Sequence, residues 1–270
     1  MRKFIGCLMV SLFTFGFAAP SYAERIVLEG STTVLPIAQK AAEVFMQTNP
    51  NADISVRGGG SGVGISSLLA GTCTIGDSSR PIKDTELDQA RTYGKDIKSH
   101  IIAMDGIAVI VNPANGVGAL SKKQVKDIYT GKISDWSEVG GAPGKIVMVS
   151  RDSSSGTFEA FGTLVLGGQK VRSDAVMQAS NQAIASIVAK TPGAIGYVGL
   201  GFLSVEVKAL NIDGVAPSKD TVLSGKYSIG RPLFMYTNGD PQGLAKDLID
   251  FIKSAEGQKL VDEQGFVPLK

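Results

Sequence analysis

Residues 25–45 have the sequence RIVLEGSTTVLPIAQKAAEVF, in which a short apolar strand, a hydroxyl-rich turn and a helix follow one another. The helix is predicted over residues 33–48, because Ile37, Ala38, Ala41 and Phe45 recur at helical spacing on one face. Asn49-Pro50-Asn51 predicts its end. This strand–turn–helix unit is the element from which we build the rest of the fold.

The same alternation continues along the chain. The predicted strands lie at 25–28, 54–56, 74–76, 146–149 and 194–198. The predicted helices lie at 33–48, 62–70, 121–129, 156–166, 241–254 and 255–264. Alternating strands and helices of this length predict an α/β fold with a largely parallel sheet.

Two extended segments divide this alternation into two parts. Residues 101–112 are almost wholly apolar, with Asp105-Gly106 as an interruption, and residues 231–237 form the second segment. We interpret both as crossings between two lobes, each a mostly parallel sheet flanked by helices. The predicted boundaries are 24–106 with 231–270 for the first lobe and 107–230 for the second. One continuous doubly wound sheet is the alternative.

The first 23 residues have the layout of a cleaved secretory signal peptide. Arg2 and Lys3 precede an apolar stretch, and small residues ending at Ala23 supply a cleavage site. The apolar stretch is shorter than the ~20 residues that span a bilayer, which argues against a membrane anchor. Cys7 precedes most of that stretch, whereas a lipidated cysteine would follow it. We therefore expect a periplasmic protein cleaved after Ala23.

Charge and cysteine content exclude several classes of protein. Arg2 and Lys3 are the only charged residues before Glu24, so the mature chain has equal numbers of basic and acidic side chains. No basic field for nucleic acid is predicted. Cys73 is the only cysteine after residue 23, which excludes an intramolecular disulfide in the mature chain. The chain has no Cys/His cluster for zinc, and we predict no metal and no cofactor.

Three loops place hydroxyls and small residues where a strand gives way to a helix. They are Gly30-Ser31-Thr32-Thr33, Gly58-Gly59-Gly60-Ser61-Gly62 and Arg151-Asp152-Ser153-Ser154-Ser155-Gly156-Thr157. Helix N-termini offer unpaired N–H groups and a partial positive charge, so each loop is a candidate oxyanion cradle. Simple helix capping is the alternative for any one loop. Such turns gather at the carboxyl edge of an open α/β sheet, which favours one shared anion site.

Two arginines accompany these loops. Arg151 can hold two oxygens of a tetrahedral anion, or form a surface salt bridge with Asp152. A fourth loop, Gly76-Asp77-Ser78-Ser79-Arg80-Pro81, carries a hydroxyl pair and the second arginine. Arg80 either serves the anion or neutralises Asp77, and the sequence leaves both open.

These loops together resemble the periplasmic phosphate-binding proteins that supply high-affinity phosphate ABC importers. The Arg-x-x-x-Ser-Gly-Thr spacing from Arg151 to Thr157 is the most specific match, and the resemblance covers essentially the whole mature chain. It implies a two-lobed type II periplasmic binding fold that closes on one phosphate, with a membrane permease as partner. We expect a monomer that is not an enzyme.

The resemblance also implies which residues bind phosphate. They are Ser31, Thr32 or Thr33 in the first loop, Ser61 in the second, and Arg151, Ser155, Gly156 and Thr157 in the third. The fourth loop adds Asp77, Ser78, Ser79 and Arg80 as further candidates from its own residues. Many relatives have an aspartate where Ser79 stands, and that aspartate accepts the proton of hydrogen phosphate. Here Asp77, Asp152 or Asp105 is left for this role, and a carboxylate acceptor would select phosphate over sulfate.

Two other functions compete with this one. A binding protein for sulfate, molybdate or another tetrahedral oxyanion would use the same donors. A serine hydrolase would use Ser61, but Gly60-Ser61-Gly62 lacks the glycine of the Gly-x-Ser-x-Gly motif, since Val63 stands there. His100 is the only histidine, and we expect a structural role for it.

Overall fold

The computed structural model describes residues 24–269, so the predicted signal peptide lies outside the described residues. The strands are β1 (Arg25–Gly30), β2 (Asp53–Gly58), β3 (Ile75–Ser78), β4 (Ile97–Val111), β5 (Ala119–Leu120), β6 (Val147–Arg151), β7 (Val176–Gln178), β8 (Ala194–Gly199), β9 (Lys208–Ala209), β10 (Asn211–Ile212) and β11 (Gly230–Asn238). The helices are α1 (Leu35–Thr48), α2 (Ser61–Ala70), α3 (Asp84–Thr92), α4 (Lys122–Thr130), α5 (Gly156–Leu164), α6 (Asn181–Lys190), α7 (Lys219–Leu223), α8 (Gly243–Lys253) and α9 (Ala255–Glu263). Every predicted strand and helix is present, and the α/β class is confirmed.

The main sheet is parallel at both ends and antiparallel in the middle. Its strand order is β2-β1-β3-β11-β4-β8-β6-β7, with β9 paired to the edge of β4 opposite β8. β1 runs parallel to β2 and β3, and β6 runs parallel to β7 and β8. The strands β4 and β11 run antiparallel to each other and to their outer neighbours. The two parallel parts place their strand ends and following turns towards the centre of the molecule.

β4 and β11 are the two predicted crossings. β4 continues through Asp105-Gly106, where its apolar run is interrupted. Gly106 lies opposite Gly230, and Asp105 lies opposite Arg231. A β-carbon on Gly106 would lie 2.7 Å from the Val222 side chain, so this glycine fits close packing rather than a break in the strand.

The apolar core divides along the length of β4. Ile102 and Ala103 belong to a cluster with β1, α1, α8 and α9. Residues 107–111 belong to a second cluster built on α4, α5, α6 and β8. A smaller cluster lies under α2. The ladder of strands is thus continuous, while the core on which it packs is split in two.

Within residues 24–269, no helix is both long and apolar enough to cross a membrane.

Candidate functional site

Hydrogen bonds to its own serine and to the fourth loop fix the conformation of the first loop. Ser31 Oγ accepts hydrogen bonds from the backbone N–H of Thr33 at 3.1 Å and of Val34 at 3.3 Å. The Ser31 N–H donates to the Asp77 carbonyl at 2.9 Å. Gly30 has φ +141°, and a β-carbon there would lie 2.2 Å from that same carbonyl, so only glycine fits at this position. The ends of β1 and β3 are therefore held together.

The second, third and fourth loops meet at Ser61. Ser61 Oγ accepts from the Ser79 N–H at 3.0 Å and lies 3.4 Å from Ser79 Oγ. A β-carbon on Gly156 would lie 2.2 Å from Ser61 Oγ. Ser61 and Ser79 lie within residues 24–106 and Gly156 lies within residues 107–230, so the two predicted lobes touch here.

A pair of threonines continues the contact between the lobes. Thr33 Oγ1 and Thr157 Oγ1 are 3.0 Å apart and buried. Asn181, the first residue of α6, donates from Nδ2 to Thr33 Oγ1 at 3.0 Å and to Thr32 Oγ1 at 3.2 Å. Arg231 Nη2 lies 3.0 Å from Thr157 Oγ1 and 3.3 Å from Thr33 Oγ1.

Arg151, at the end of β6, is a buried cation. Its side chain donates from Nε to the Gln178 carbonyl at 3.1 Å and from Nη2 to the Ala179 carbonyl at 2.9 Å. Among residues 24–269, Nη1 has no hydrogen-bond partner and no carboxylate lies within salt-bridge distance of the guanidinium. Burial lowers the pKa of Arg151 to about 10, which still leaves it charged at neutral pH. The alternative of a surface salt bridge with Asp152 is therefore not realised among residues 24–269.

The three candidate acceptors differ in their surroundings. Asp105 is ion-paired with Arg231 at 2.8 Å, and Asp152 Oδ1 accepts from the Ser154 N–H at 2.8 Å. Asp77 is buried, and neither of its carboxyl oxygens has a hydrogen-bond partner among residues 24–269. Burial raises the pKa of Asp77 well above its ordinary value.

Arg80 lies outside this cluster of loops. Its guanidinium contacts both Glu86 oxygens, at 2.6 and 2.8 Å, and its Nε lies 2.7 Å from Glu159. Ser78 Oγ donates to the Arg80 carbonyl at 2.8 Å. Among residues 24–269 Arg80 forms no salt bridge with Asp77, so its role at the anion stays a prediction, and Ser78 serves the turn.

Helix capping explains only part of the hydroxyl pattern. Ser155 Oγ accepts from the Phe158 N–H at 3.2 Å and so caps α5. Neither α1 nor α2 has a side-chain cap at its first turn. Backbone carbonyls instead engage part of both helix starts, because the Leu35 N–H donates to the Ser31 carbonyl at 3.0 Å and the Gly62 N–H donates to the Ser154 carbonyl at 3.0 Å.

Sequence reasoning missed Asn181 and Arg231. Asn181 follows Ser180 at a strand-to-helix turn after β7, which is the same signal that identified the other loops. Arg231 lies inside a strand, and its contacts depend on a register with β4 that only the fold reveals. The two side chains of the hydrolase alternative do not meet, since His100 Nε2 contacts Thr237 Oγ1 at 2.9 Å and Ser61 contacts Ser79.

Comparison with known proteins places the chain in a family. Residues 18–256 match the PBP superfamily domain. The phosphate-binding protein PstS of Bacillus subtilis is 40% identical over 246 residues, which cover 90% of this chain and 80% of that protein. The PstS of Borreliella burgdorferi is 32% identical, covering 92% of this chain and 91% of that protein.

Two solved structures are similar over their whole length. One is a phosphate ABC transporter substrate-binding protein from Clostridium perfringens with bound phosphate, with TM-score 0.85, 34% identity, and coverage of 92% of this chain and 100% of that one. The other is an ABC-type phosphate transport receptor from Vibrio cholerae, with TM-score 0.75, 32% identity, and coverage of 90% and 100%. These solute-binding proteins share the two-lobed fold described above. The chain belongs to the PBP superfamily and, within it, to the family of the PstS phosphate-binding proteins, which confirms the resemblance inferred from the loops.

Proposed function

We propose that this protein captures inorganic phosphate in the cleft between its lobes and delivers it, outside the cytoplasm, to the membrane permease of an ABC importer. The Clostridium perfringens relative was solved with phosphate bound, and the Vibrio cholerae relative is a phosphate transport receptor. The loops that carry the family resemblance also lie together in this chain.

The buried Arg151 guanidinium is the observation that carries the proposal. A buried cation without a carboxylate partner is costly, because desolvation removes the water that would stabilise its charge. Nη1 of Arg151 has no partner among residues 24–269. A phosphate anion supplies both the missing acceptor and the missing negative charge.

The proposed binding shell combines one charged side chain with two groups of hydrogen-bond donors. Arg151 provides the charge, and the hydroxyls and N–H groups of the first, second and third loops provide donors. The shell consists of Ser31, Thr32, Thr33, Ser61, Ser79, Arg151, Ser155, Gly156 and Thr157. We take residues 24–106 with 231–270 as one lobe and 107–230 as the other, so that closure about β4 and β11 brings the two groups of donors together.

Asp77 is the candidate for selecting phosphate over sulfate. It is buried beside Ser31, to which its own carbonyl is hydrogen-bonded, and its carboxyl oxygens are free of protein partners among residues 24–269. The carbonyl oxygen of its protonated carboxyl group can accept the P–OH hydrogen that phosphate has and sulfate lacks. Asp105 and Asp152 are less suited, because their oxygens already have protein partners.

Calorimetric titration with phosphate tests the proposal. Arg151→Met should weaken phosphate binding by about a hundredfold, since it removes charge-assisted hydrogen bonds from a buried site. Arg91→Met is the matched control, because Arg91 is exposed and pairs only with Asp88 on its own helix. Phosphate binding unchanged by Arg151→Met would overturn the proposal. Sulfate or molybdate binding more tightly than phosphate would favour the other oxyanions.

Three further properties belong to the same proposal. The protein is a binding protein without catalytic activity, it is periplasmic after cleavage behind Ala23, and it acts as a monomer. N-terminal sequencing of the exported protein should begin at Glu24. Light scattering should give the mass of one chain, with and without phosphate.

A further inference from the structure

Arg231 and Arg151 are both buried arginines at the lobe junction, yet their hydrogen bonds differ. Arg231 Nε and Nη2 lie 3.1 and 2.8 Å from Asp105 Oδ2, and Nη1 donates to the Ser79 carbonyl at 3.0 Å. Nη2 also reaches Thr33 and Thr157. Arg231 thus contacts the first, third and fourth loops at once, and protein acceptors already engage each of its nitrogens.

The direction of the hydrogen bonds at Thr33 follows from its neighbours. Asn181 Oδ1 accepts from the Gly199 N–H at 3.3 Å, which fixes its amide so that Nδ2 faces Thr33. Guanidinium and amide N–H groups can only donate. Thr33 Oγ1 therefore accepts from Asn181 and shares with Thr157 the one Nη2 hydrogen of Arg231 that Asp105 leaves free, and its own hydroxyl proton must point elsewhere.

Thr157 is constrained in the same way. Its Oγ1 accepts from Arg231 Nη2 and lies 3.0 Å from Thr33 Oγ1. The two hydroxyls have two protons, and only one proton can lie between their oxygens. The other proton is directed out of the pair, whichever threonine supplies it.

We propose that Arg231 is a positioning residue for anion binding, which fixes the Thr33–Thr157 pair so that one hydroxyl proton is always presented to the bound phosphate. This inference rests on the proposed function and adds a residue to it. Asp105 has the role of orienting Arg231, through the ion pair and through the Leu200 N–H that binds its other oxygen at 2.9 Å. Arg151 binds the anion itself, whereas Arg231 acts through the two hydroxyls.

A mutant cycle on the dissociation constant for phosphate tests this role. The unmodified protein is compared with Arg231→Lys, with Thr33→Val/Thr157→Val, and with the triple variant. Lysine keeps the charge opposite Asp105 but loses the planar fork that reaches both threonines. Arg231→Lys should weaken binding at least about tenfold in the unmodified background and by less than about twofold when both hydroxyls are gone.

Equal weakening in both backgrounds would overturn the inference, because Arg231 would then act on the anion or on the fold directly. Urea unfolding of each variant without phosphate measures the purely structural part. If the unmodified protein fails to bind phosphate, the proposed function falls, whereas equal weakening removes only the role of Arg231.

A second measurement avoids variants that fail to fold. In the unmodified protein labelled with ¹⁵N-arginine, the guanidinium signals of Arg231 should show restricted rotation before and after phosphate is added. Those of Arg151 should shift on addition. A shift of the Arg231 signals as large as that of Arg151 would make Arg231 a direct ligand and overturn the inference.

Discussion

Gly156 begins α5 directly against Ser61 of the opposite lobe, at a distance that leaves no room for a β-carbon. Such a carbon would lie 2.2 Å from Ser61 Oγ and 2.8 Å from Ser79 Oγ. Real β-carbons do not approach other atoms so closely, so the closed arrangement of the lobes requires glycine at this position. Under the proposed function, this contact couples closure of the lobes to assembly of the phosphate shell.

Gly156→Ala should therefore block closure. We expect phosphate affinity to fall at least about tenfold, because the added methyl must separate the loops by more than 1 Å. Small-angle X-ray scattering should show that phosphate no longer makes the variant more compact. Gly162→Ala is the control, since a β-carbon there meets nothing within 4 Å on the same helix. An alanine at 156 that binds phosphate like the unmodified protein would contradict the contact.

Glu159 provides a second contact between the lobes, at the surface beside the cleft. It lies 2.7 Å from Arg80 and 2.8 Å from Lys83, both of which precede or begin α3 in the first lobe. Glu159→Gln should weaken phosphate binding by about fivefold, since closure loses an ion pair with a largely buried arginine.

The same variant should reduce the salt dependence of phosphate binding, because screening acts on the pair that is lost. Titration at low and high ionic strength measures this effect. Glu43→Gln is the control, because Glu43 pairs only with Lys40 on the exposed side of α1. An unchanged affinity at low ionic strength would show that the contact contributes nothing to closure.

Asp77 should make the folded protein less stable as the pH rises. Burial raises the pKa of its carboxyl, so the folded chain keeps a proton that the unfolded chain releases above about pH 4. Its contribution to stability is greatest below the unfolded pKa and is lost as the pH rises towards the folded pKa. Asp77→Asn replaces the neutral acid with a neutral amide of the same shape and should raise stability at pH 7.

Urea unfolding at several pH values between 5 and 8 measures this change. The slope of stability against pH should become smaller in Asp77→Asn, and an unchanged slope would mean that the carboxyl is ionised in the fold. Titration of the same variant with phosphate and sulfate tests the selective role, because unchanged affinity and selectivity would remove Asp77 from it.

Ser155 allows capping and binding to be separated. Ser155→Ala should lower the free energy of unfolding by about 1 kcal/mol through loss of the α5 cap, and it should also weaken phosphate binding. Ser121→Ala removes an equivalent cap from α4, where Ser121 Oγ accepts from the Gln124 N–H at 3.1 Å. We expect that control to lose stability without losing affinity. Equal affinities in the two variants would mean that Ser155 is only a cap.

The sequence predicted most parts of the fold that depend on local apolar patterns, but not α6, although Ile184, Ala185 and Val188 form an apolar face on it. Helix α3 was not predicted from the sequence, because Ala90 is its only buried residue and it has no apolar stripe. Strand β4 was predicted from its apolar run, which Asp105 interrupts. Its carboxylate is accommodated inside the strand by Arg231, which is 126 residues away along the chain.

The site was predictable only where its residues belong to loops at helix starts. Arg151 could be identified from its motif, whereas its unpartnered Nη1 depends on where Gln178 and Ala179 lie. Arg80 stands in an equivalent turn and faces Glu86 and Glu159 instead. The direction of such a side chain depends on charged residues that are distant in the sequence. The local spacing of residues in the turn therefore does not predict it.

A crystal structure grown in phosphate tests the central claim most directly. We predict tetrahedral density within hydrogen-bond distance of Arg151 Nη1 and of the Thr33–Thr157 hydroxyl pair, between the N-termini of α1, α2 and α5. An anion bound elsewhere, with Arg151 Nη1 engaged by a protein acceptor, would contradict the account.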